Sequence, residues 1–293
     1  MDSETLARRF DELRPHLMSV AFQVVGSMPD AEDVIQAAWL KVASSDTRTI
    51  ANLAGWITTI TTRTALDTLK ARHRRRETLA GDNLPPEGET SGPDAEVLLA
   101  ESVSRALLVV LERLSPAERV AFVMHDVFAM PFDEIGSILN RTAATSKKLA
   151  SRARTKIHAE PTPASSQIPE HTKIVRAFLA ASRGSDIPTL LELLAPDVIR
   201  TVDPILVAPG ASTFIRGAAE VADETRQFTT RAKKAAVVLI NGEPGVAIAP
   251  SGRLLALMTI SFNLNGQIHR IDITADSSYL DTATLTLPTA GGE

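Results

Sequence analysis

The chain has 293 residues, enough for two or three domains that each bury a core of their own. Hydrophobic residues make up 44% of it and no run approaches the roughly 18 apolar residues of a membrane span, which excludes an integral membrane protein of helical type. Cysteine is absent, which excludes disulfides and thiol chemistry, and the N-terminus lacks the apolar stretch of a secretory signal, so we expect a cytoplasmic protein.

The charge is unevenly distributed along the chain. The net charge of −4 argues weakly against nucleic-acid binding, but basic residues concentrate in 70–76 and again in 141–158. The second stretch contains no acidic residue. Because local charge steers binding more than the sum does, DNA binding stays open.

Three helices are predicted in the first part of the chain. Apolar residues at steps of three and four from Leu6 to Val24 predict an amphipathic helix, which Gly26 to Pro29 ends. Asp30 is expected to cap the second helix, and a third is expected from about Asn52 to Arg75. Residues 77–95 are rich in Gly, Pro and acids, which is typical of a linker.

A second helical block follows this linker. It begins with an apolar-periodic segment at 97–114, and Ser115 and Glu118 then form a predicted helix start with a proline between them. A short helix at 132–139, a turn at 140–142 and a basic helix at 143–158 are typical of a helix-turn-helix. The basic helix is expected to turn inward Leu149, Ala153 and Ile157.

The pattern changes again after a second linker at 159–170. Helices are predicted at 171–183, 187–195 and 217–228, and turn signals separate a series of β-like segments. Helices first and antiparallel strands afterwards indicate an α+β domain. The predicted strands are 197–202, 236–240, 245–249, 253–263 and 267–274.

Three stretches carry a resemblance to a known family. They are DAEDVIQAAWLKV, GWITTITTRTALDTLKARHRRR and LERLSPAERVAFVMHDVFAMPFDEIGSILNRTAATSKKLASRARTKI. They resemble regions 2 and 4 of the extracytoplasmic-function sigma factors of RNA polymerase, over about residues 5–158. The rest resembles a SnoaL-like, NTF2-related domain, so the whole chain is similar to sigma factors of the J type.

The resemblance implies a multidomain protein with two all-α sigma domains, a region 2 helical bundle and a region 4 helix-turn-helix, followed by an α+β NTF2-like cone. It also implies promoter-specific transcription initiation, with core RNA polymerase (its β′ clamp and β flap) and promoter DNA as partners. The expected boundaries are 1–76 for region 2, 77–95 for a linker, 96–158 for region 4, 159–170 for a linker, 171–281 for the NTF2-like domain and 282–293 for a flexible tail.

The resemblance assigns the polymerase contact to Asp33 and Gln36. These two side chains lie one helical turn apart on one face, where a carboxylate beside an amide suits an arginine-rich partner helix. A solvated helix face is the alternative, because exposed acids are common.

The third helix and its basic end are expected to bind the −10 element. Arg63, Asp67 and Lys70 share a face and correspond to residues that receive unstacked bases, and the residues after them would contact phosphates. The alternative is a solvated basic helix end that favours the helix dipole. The phosphate-binding candidates are Arg72, Arg74, Arg75 and Arg76.

The last helix of region 4 is expected to bind the −35 element. Early outward residues of a recognition helix contact base edges in the major groove, and Arg141 and Arg154 are expected to bind phosphates. The base-contacting candidates are Lys147, Lys148, Ser151 and Arg152.

We predict no catalytic residue, no metal and no cofactor. The acid–base candidates of the last domain have no spacing that demands catalysis, and strand alternation places His269 and Asp272 on opposite faces. An unknown small ligand in the NTF2-like pocket is an open possibility. The candidates are His171, Asp186, Asp203, His269 and Asp272.

The resemblance implies that the last domain modulates the sigma core, with either inhibition or productive positioning left open. Two motifs depart from the group: Asp203-Pro204-Ile205-Leu206 stands where a glycine-rich motif is typical, and Asn83-Leu84-Pro85-Pro86 keeps only part of the linker motif. Two other classes remain. A ligand-sensing helix-turn-helix regulator would leave the first three helices unused, and an enzyme of the SnoaL cyclase-isomerase type would act through the pocket.

Overall fold

The computed structural model describes residues 3–47, 50–78, 102–158, 167–208, 210–250 and 253–288. They belong to two units, of which the first comprises Met1–Ala95 and Leu114–Thr155 and the second comprises Glu96–Arg113 and Lys156–Glu293. Both predicted linkers lie largely outside the described residues. In the part that is described, none of the helices combines the length and apolarity that crossing a bilayer requires.

The first unit begins with three mutually packed helices, α1 (Ser3–Val25), α2 (Met28–Ala43) and α3 (Leu53–Thr78). Their contact is apolar, with Leu17, Ile35 and Ile57 fully buried. The predicted cap of α2 is wrong. Ser27 caps the helix and accepts a hydrogen bond from the Asp30 amide, because Gly26 turns the chain with a φ of 78° and ends α1 before Pro29.

The same unit contains the helix-turn-helix. α5 (Pro116–Phe122) starts with the predicted capping box between Ser115 and Glu118 and leads into a π-helical turn at Val123–Val127. α6 (Phe132–Leu139) and α7 (Ala143–Ile157) follow, and the helix-turn-helix prediction is confirmed.

The turn between α6 and α7 requires a glycine at position 136. Asn140 ends α6 in the left-handed conformation, and the Arg141 amide donates to the Gly136 carbonyl at 2.9 Å. A Cβ on Gly136 would lie 2.7 Å from the Arg141 carbonyl oxygen, so the chain can close this turn only because residue 136 has no side chain.

The second unit is the predicted α+β domain. Its strands are β1 (Leu194–Val202), β2 (Phe214–Arg216), β3 (Ala235–Ile240), β4 (Glu243–Ile248), β5 (Ala256–Phe262), β6 (Ile268–Thr274) and β7 (Leu285–Thr286). Its helices are α4 (Ser102–Leu111), α8 (Ile168–Gly184), α9 (Ile187–Leu193), α10 (Ala218–Thr225), α11 (Thr229–Lys233) and α12 (Ser277–Thr282). The strands form one sheet in the order β2-β1-β6-β5-β4-β3-β7, and its buried side chains pack against α8 and α10.

Three features of this unit differ from the sequence prediction. β1 runs parallel to β6, so the sheet is mixed and not wholly antiparallel. The three-residue β2 lacks an apolar pattern that could have revealed it. β7 pairs with β3 and is buried, although Leu285 and Thr286 fall in the segment predicted as a flexible tail.

Candidate functional site

The predicted polymerase-binding face of α2 is open to solvent. Asp33 and Gln36 are both exposed, while Ile35, Ala38 and Val42 on the opposite side are fully buried. Leu40 lies one turn beyond Gln36 with 69% of its surface exposed. Sequence reasoning missed Leu40, although it follows Asp33 and Gln36 at helical spacing and is an apolar residue on their polar face.

The structure brings the predicted −10 residues together along α3. Arg63, Asp67 and Lys70 are exposed and lie at successive turns of one helix face. The guanidinium of Arg63 is engaged, because its Nη2 donates a 2.7 Å hydrogen bond to the main-chain carbonyl of Ser137 in α6. The first helix of the helix-turn-helix therefore packs beside the predicted −10 surface.

The basic end of α3 divides into two groups. Arg74 and Arg75 are exposed, and the side chain of Arg76 lies outside the described part of the chain. Arg72 is half-buried, donates a 3.0 Å hydrogen bond to the Val25 carbonyl and forms an ion pair with Asp30. The Arg72 guanidinium thus ties the end of α1 to the start of α2 in this structure, and its predicted phosphate contact stays a prediction.

The recognition helix α7 presents its predicted residues to solvent. Lys147, Lys148, Ser151 and Arg152 are exposed on one side, and Arg141 is exposed in the preceding turn. The opposite side differs from the prediction in one position, since Leu149 is only half-buried. The residues with no exposed surface are Ser146, Ala150, Ala153 and Ile157, at steps of four, three and four.

Arg154 is engaged within the unit, although its side chain is partly exposed. Its Nε and Nη2 lie 2.7 Å and 3.1 Å from the two carboxylate oxygens of Asp126, in a bidentate ion pair. The pair joins α7 to the π-helical turn before α6. In this structure Arg154 is thus a structural tie, and its predicted phosphate contact stays a prediction.

The acid–base candidates of the second unit have structural partners or lie on the surface. Asp186 caps α9, and Asp203 accepts hydrogen bonds from the Thr274 hydroxyl at 2.7 Å and the Ala275 amide at 2.6 Å. The His171 ring stacks on Phe262 with 3.9 Å between ring centres. Asp272 binds Arg270 and the Thr201 hydroxyl, and His269 is exposed. Within the described residues no three His, Cys, Asp or Glu side chains form a group that could hold a metal.

A cavity of about 90 Å³ lies between α8, α10 and the sheet, and it contains none of these candidates. Its walls are apolar except for a few groups, of which Arg200, Glu224 and Arg231 carry charge. The Arg200 side chain is 3% exposed and forms an ion pair with Glu224. Burial raises the pKa of Glu224, and the hydrogen bond and charge of Arg200 oppose that shift. These residues lie on separate elements, so no local motif marks them.

The second unit also holds a segment that the sequence assigns to region 4. α4 packs on β3, and Leu108, Val109, Val110 and Leu111 are buried. Just beyond it, the Glu112 carboxylate accepts a 2.8 Å hydrogen bond from the Leu254 amide, and the Arg113 guanidinium donates to the Leu280 carbonyl. The α+β unit thus binds the segment that leads into the helix-turn-helix.

Comparison with known proteins identifies the family of the two helical regions. The families Sigma-70 region 2 and Sigma-70, region 4 match residues 9–75 and 104–157. The ECF RNA polymerase sigma factor SigJ of Mycobacterium tuberculosis is 43% identical over 217 residues, which cover 72% of this chain and 69% of that protein. The probable ECF RNA polymerase sigma factor SigI of the same species is 32% identical over 273 residues, or 92% of each protein. The crystal structure of SigJ covers 94% of this chain and 98% of its own, with 32% identity and a TM-score of 0.45.

The matched ranges include α2 and α3, which carry the polymerase and −10 candidates, and the helix-turn-helix, which carries the −35 candidates. Identity of 32% extends over 92% of the chain, so it includes the α+β unit as well as the two helical regions. The chain belongs to the extracytoplasmic-function family of RNA polymerase sigma factors, and it directs promoter-specific transcription initiation through sigma regions 2 and 4.

Proposed function

We propose that the α2 face formed by Asp33, Gln36 and Leu40 docks on the β′ clamp of core polymerase, and that region 4 contacts the β flap. The exposure of all three side chains supports this docking, because a stable surface contact needs accessible groups at its centre. An exposed leucine flanked by a carboxylate and an amide matches an apolar anchor with a polar surround.

The −35 element is assigned to α7. The observation that carries this assignment is the division of α7 into a buried side and an exposed side that holds Lys147, Lys148, Ser151 and Arg152. Lysine, serine and arginine side chains can donate hydrogen bonds to guanine O6 and N7 in the major groove. Arg141 precedes the helix and is assigned to a phosphate.

The −10 element is assigned to the exposed face of α3. Arg63, Asp67 and Lys70 would meet unstacked bases, and Arg74, Arg75 and Arg76 would follow the phosphate backbone. Arg72 and Arg154 are left out of the DNA-binding set because both hold ion pairs inside the unit.

Both promoter elements can be bound together only in a more open arrangement of the first unit. The elements lie about 25 base pairs apart, which is about 85 Å of duplex at about 3.4 Å per base pair. In the structure a hydrogen bond from Arg63 to Ser137 joins the −10 helix to the helix-turn-helix directly. We therefore assign this arrangement to the free protein. In the second state, core polymerase occupies the α2 face and the −10 helix is separated from the helix-turn-helix.

The α+β unit is assigned a modulating role through α4. It holds α4 on β3 and fixes Glu112 and Arg113, so its state determines where the chain enters the helix-turn-helix. A small ligand in its cavity would act through the same unit. We assign the protein to the cytoplasm, where bacterial RNA polymerase and the chromosome are found. The α+β unit is assigned ligand binding and no catalytic turnover.

In vitro transcription tests these assignments, with sigma-free core polymerase on fragmented genomic DNA. A truncation at His158 would uncover the apolar side of α4, so the better comparison is the full chain against Arg113→Ala, which loses the contact with Leu280. Arg183→Ala, which removes another arginine–carbonyl contact within the second unit, is the matched control. More initiation by Arg113→Ala means that the unit inhibits, and less means that it positions region 4.

An unchanged transcript level in Arg113→Ala, with a folded protein, would remove the modulating role. No transcript from the full chain with active core would contradict the assigned contacts with polymerase and promoter.

A further inference from the structure

The cavity of the α+β unit has apolar walls and a small charged patch. The apolar side chains come from α8, α10, α11, five strands and the turns between them, and they leave few groups for a polar ligand to bind. The charged patch comprises Arg200, Glu224 and Arg231. With both arginines protonated and the glutamate ionised, the patch carries one net positive charge. The apolar residues that would surround a ligand include Phe178, Leu206, Val246, Ile248, Met258 and Ile271.

Arg200 has an unfilled hydrogen-bond donor in this cavity. Its Nη2 binds Glu224 and its Nη1 is 3.4 Å from the Ser212 carbonyl oxygen, but its buried Nε has no partner among the described residues. A guanidinium offers five N–H donors, and a buried donor left unpaired is costly, more so on a charged group. Arg200 is buried in the same cavity wall, which gives the cavity a polar anchor beside its apolar space.

The charge and size of the cavity select among ligand classes. A cation would meet two guanidinium groups, and a dianion would exceed the single net charge and face Glu224. A purely apolar ligand would leave the Arg200 Nε unpaired. A carboxylate satisfies the donor and balances the charge, and its bonds to a guanidinium are charge-assisted. The volume of about 90 Å³ is smaller than that of an apolar cavity that holds benzene, about 150 Å³, so it suits a ligand with a short aliphatic body.

We propose that this cavity binds a small apolar monocarboxylate, with the carboxylate on Arg200 and the apolar body between α8 and the sheet. This inference deepens the modulating role proposed above by naming the ligand class. Its test needs neither polymerase nor DNA, so failure of binding and failure of transcription can be told apart.

Fluorine NMR on the full chain provides the test, with 4,4,4-trifluorobutyrate as the observed probe at millimolar concentration. Butyrate and pentanoate are expected to displace the probe, while butyramide, which has the shape of butyrate without its charge, should bind about tenfold more weakly or worse. Line broadening and its reversal by competitors give the affinities.

Two variants locate the site. Arg200→Lys keeps a positive charge but loses Nε and the planar fork, so probe affinity should fall about tenfold. Ala232→Leu fills the cavity without touching a charge, so it should abolish binding even if Arg200→Lys does not fold. Arg216→Lys, on the exposed strand β2, is the matched control and should bind like the original chain.

Equal displacement by butyramide and butyrate would overturn the carboxylate assignment. Unchanged probe binding by a folded Ala232→Leu would overturn the location. Absence of probe broadening with the folded full chain would overturn the proposal as a whole.

Discussion

The guanidinium of Arg63 donates to the main-chain carbonyl of Ser137 across 2.7 Å. Arg63 lies on the helix assigned to the −10 element, and Ser137 lies in the first helix of the helix-turn-helix. The contact is supported by a buried one beside it, where the Thr62 hydroxyl lies 3.7 Å from the Met124 sulfur. Sigma regions 2 and 4 are thus held together in one unit by groups that promoter binding would need to separate.

Cross-linking the two helices should block initiation. The chain has no cysteine, so Arg63→Cys with Ser137→Cys can be joined specifically by a thiol-cleavable bismaleimide. We expect the linked protein to lose transcription with core polymerase and to recover it after reductive cleavage, because a promoter requires separation by about 85 Å. Run-off transcripts before and after cleavage measure the effect.

Each single cysteine variant treated with the same reagent is the control, since Arg63 itself is assigned to DNA. Activity must be compared with the unlinked double variant for the same reason. A linked protein that initiates as well as the unlinked one would show that the closed contact persists in the active state.

Two arginines that lie two residues apart on α7, and therefore on different sides of the helix, should behave differently. Arg152→Ala should lower promoter affinity by about 1–3 kcal/mol and relax the base preference at one −35 position, because its exposed guanidinium is free to contact a base edge. Arg154→Ala should leave base preference unchanged and instead lower the free energy of unfolding by up to about 1 kcal/mol, as expected for a partly exposed ion pair. Promoter binding across a panel of −35 sequences and chemical denaturation distinguish the two.

Asp126→Ala is the matched control for Arg154→Ala, because either change removes the same bidentate pair. The slope of the logarithm of promoter affinity against the logarithm of salt concentration gives a further criterion. A fall of about one in that slope for Arg154→Ala would restore the phosphate contact.

The helix-turn-helix could be predicted from sequence because its signals are local. The helix start at Ser115–Glu118, the short apolar α6 and the basic α7 are each marked within one short continuous segment. The order of helices and most strands of the second unit followed for the same reason, since alternation and turn residues mark each hairpin.

Sequence reasoning missed the structural contacts of predicted site residues where the partner lies far away in sequence. Arg72 and Arg154 resemble free basic residues until Asp30 and Asp126 are seen beside them, 42 and 28 residues away. The parallel pairing of β1 with β6 is equally remote, and it brings Arg200 into a cavity with apolar residues of other strands. Periodicity carries no information about such pairings, so neither the ion pairs nor the cavity could be found by it.

Leu40 should prove important for polymerase binding although it contributes little to the fold. Its side chain is 69% exposed, so Leu40→Ser should leave thermal stability nearly unchanged. Core affinity should fall by more than about 1 kcal/mol if Leu40 is the apolar centre of the α2 contact. Biolayer interferometry with immobilised core measures affinity. Leu264→Ser is the matched control, a still more exposed leucine on a hairpin of the other unit. Equal core affinity for the two variants would remove Leu40 from the contact.

Glu224 should make the stability of the protein depend on pH with a definite sign. Burial raises the pKa of its carboxyl above the ordinary 4.5, and Arg200 only partly offsets the effect. The folded state then keeps a proton that the unfolded state has released, so this contribution to stability is present below pH 4.5 and is lost as pH rises through the folded pKa. Glu224→Gln cannot lose that proton. The Tm of the original chain should therefore fall relative to that of Glu224→Gln as the pH rises above 4.5.

Melting curves across this range measure the difference, with Glu220→Gln on the exposed side of the same helix as the matched control. The opposite sign, a gain of the original chain over Glu224→Gln with rising pH, would mean that the ion pair with Arg200 outweighs burial. In that case Glu224 would hold Arg200 firmly, and its charge would oppose an entering carboxylate, so this sign bears directly on how strongly the cavity can bind an anion.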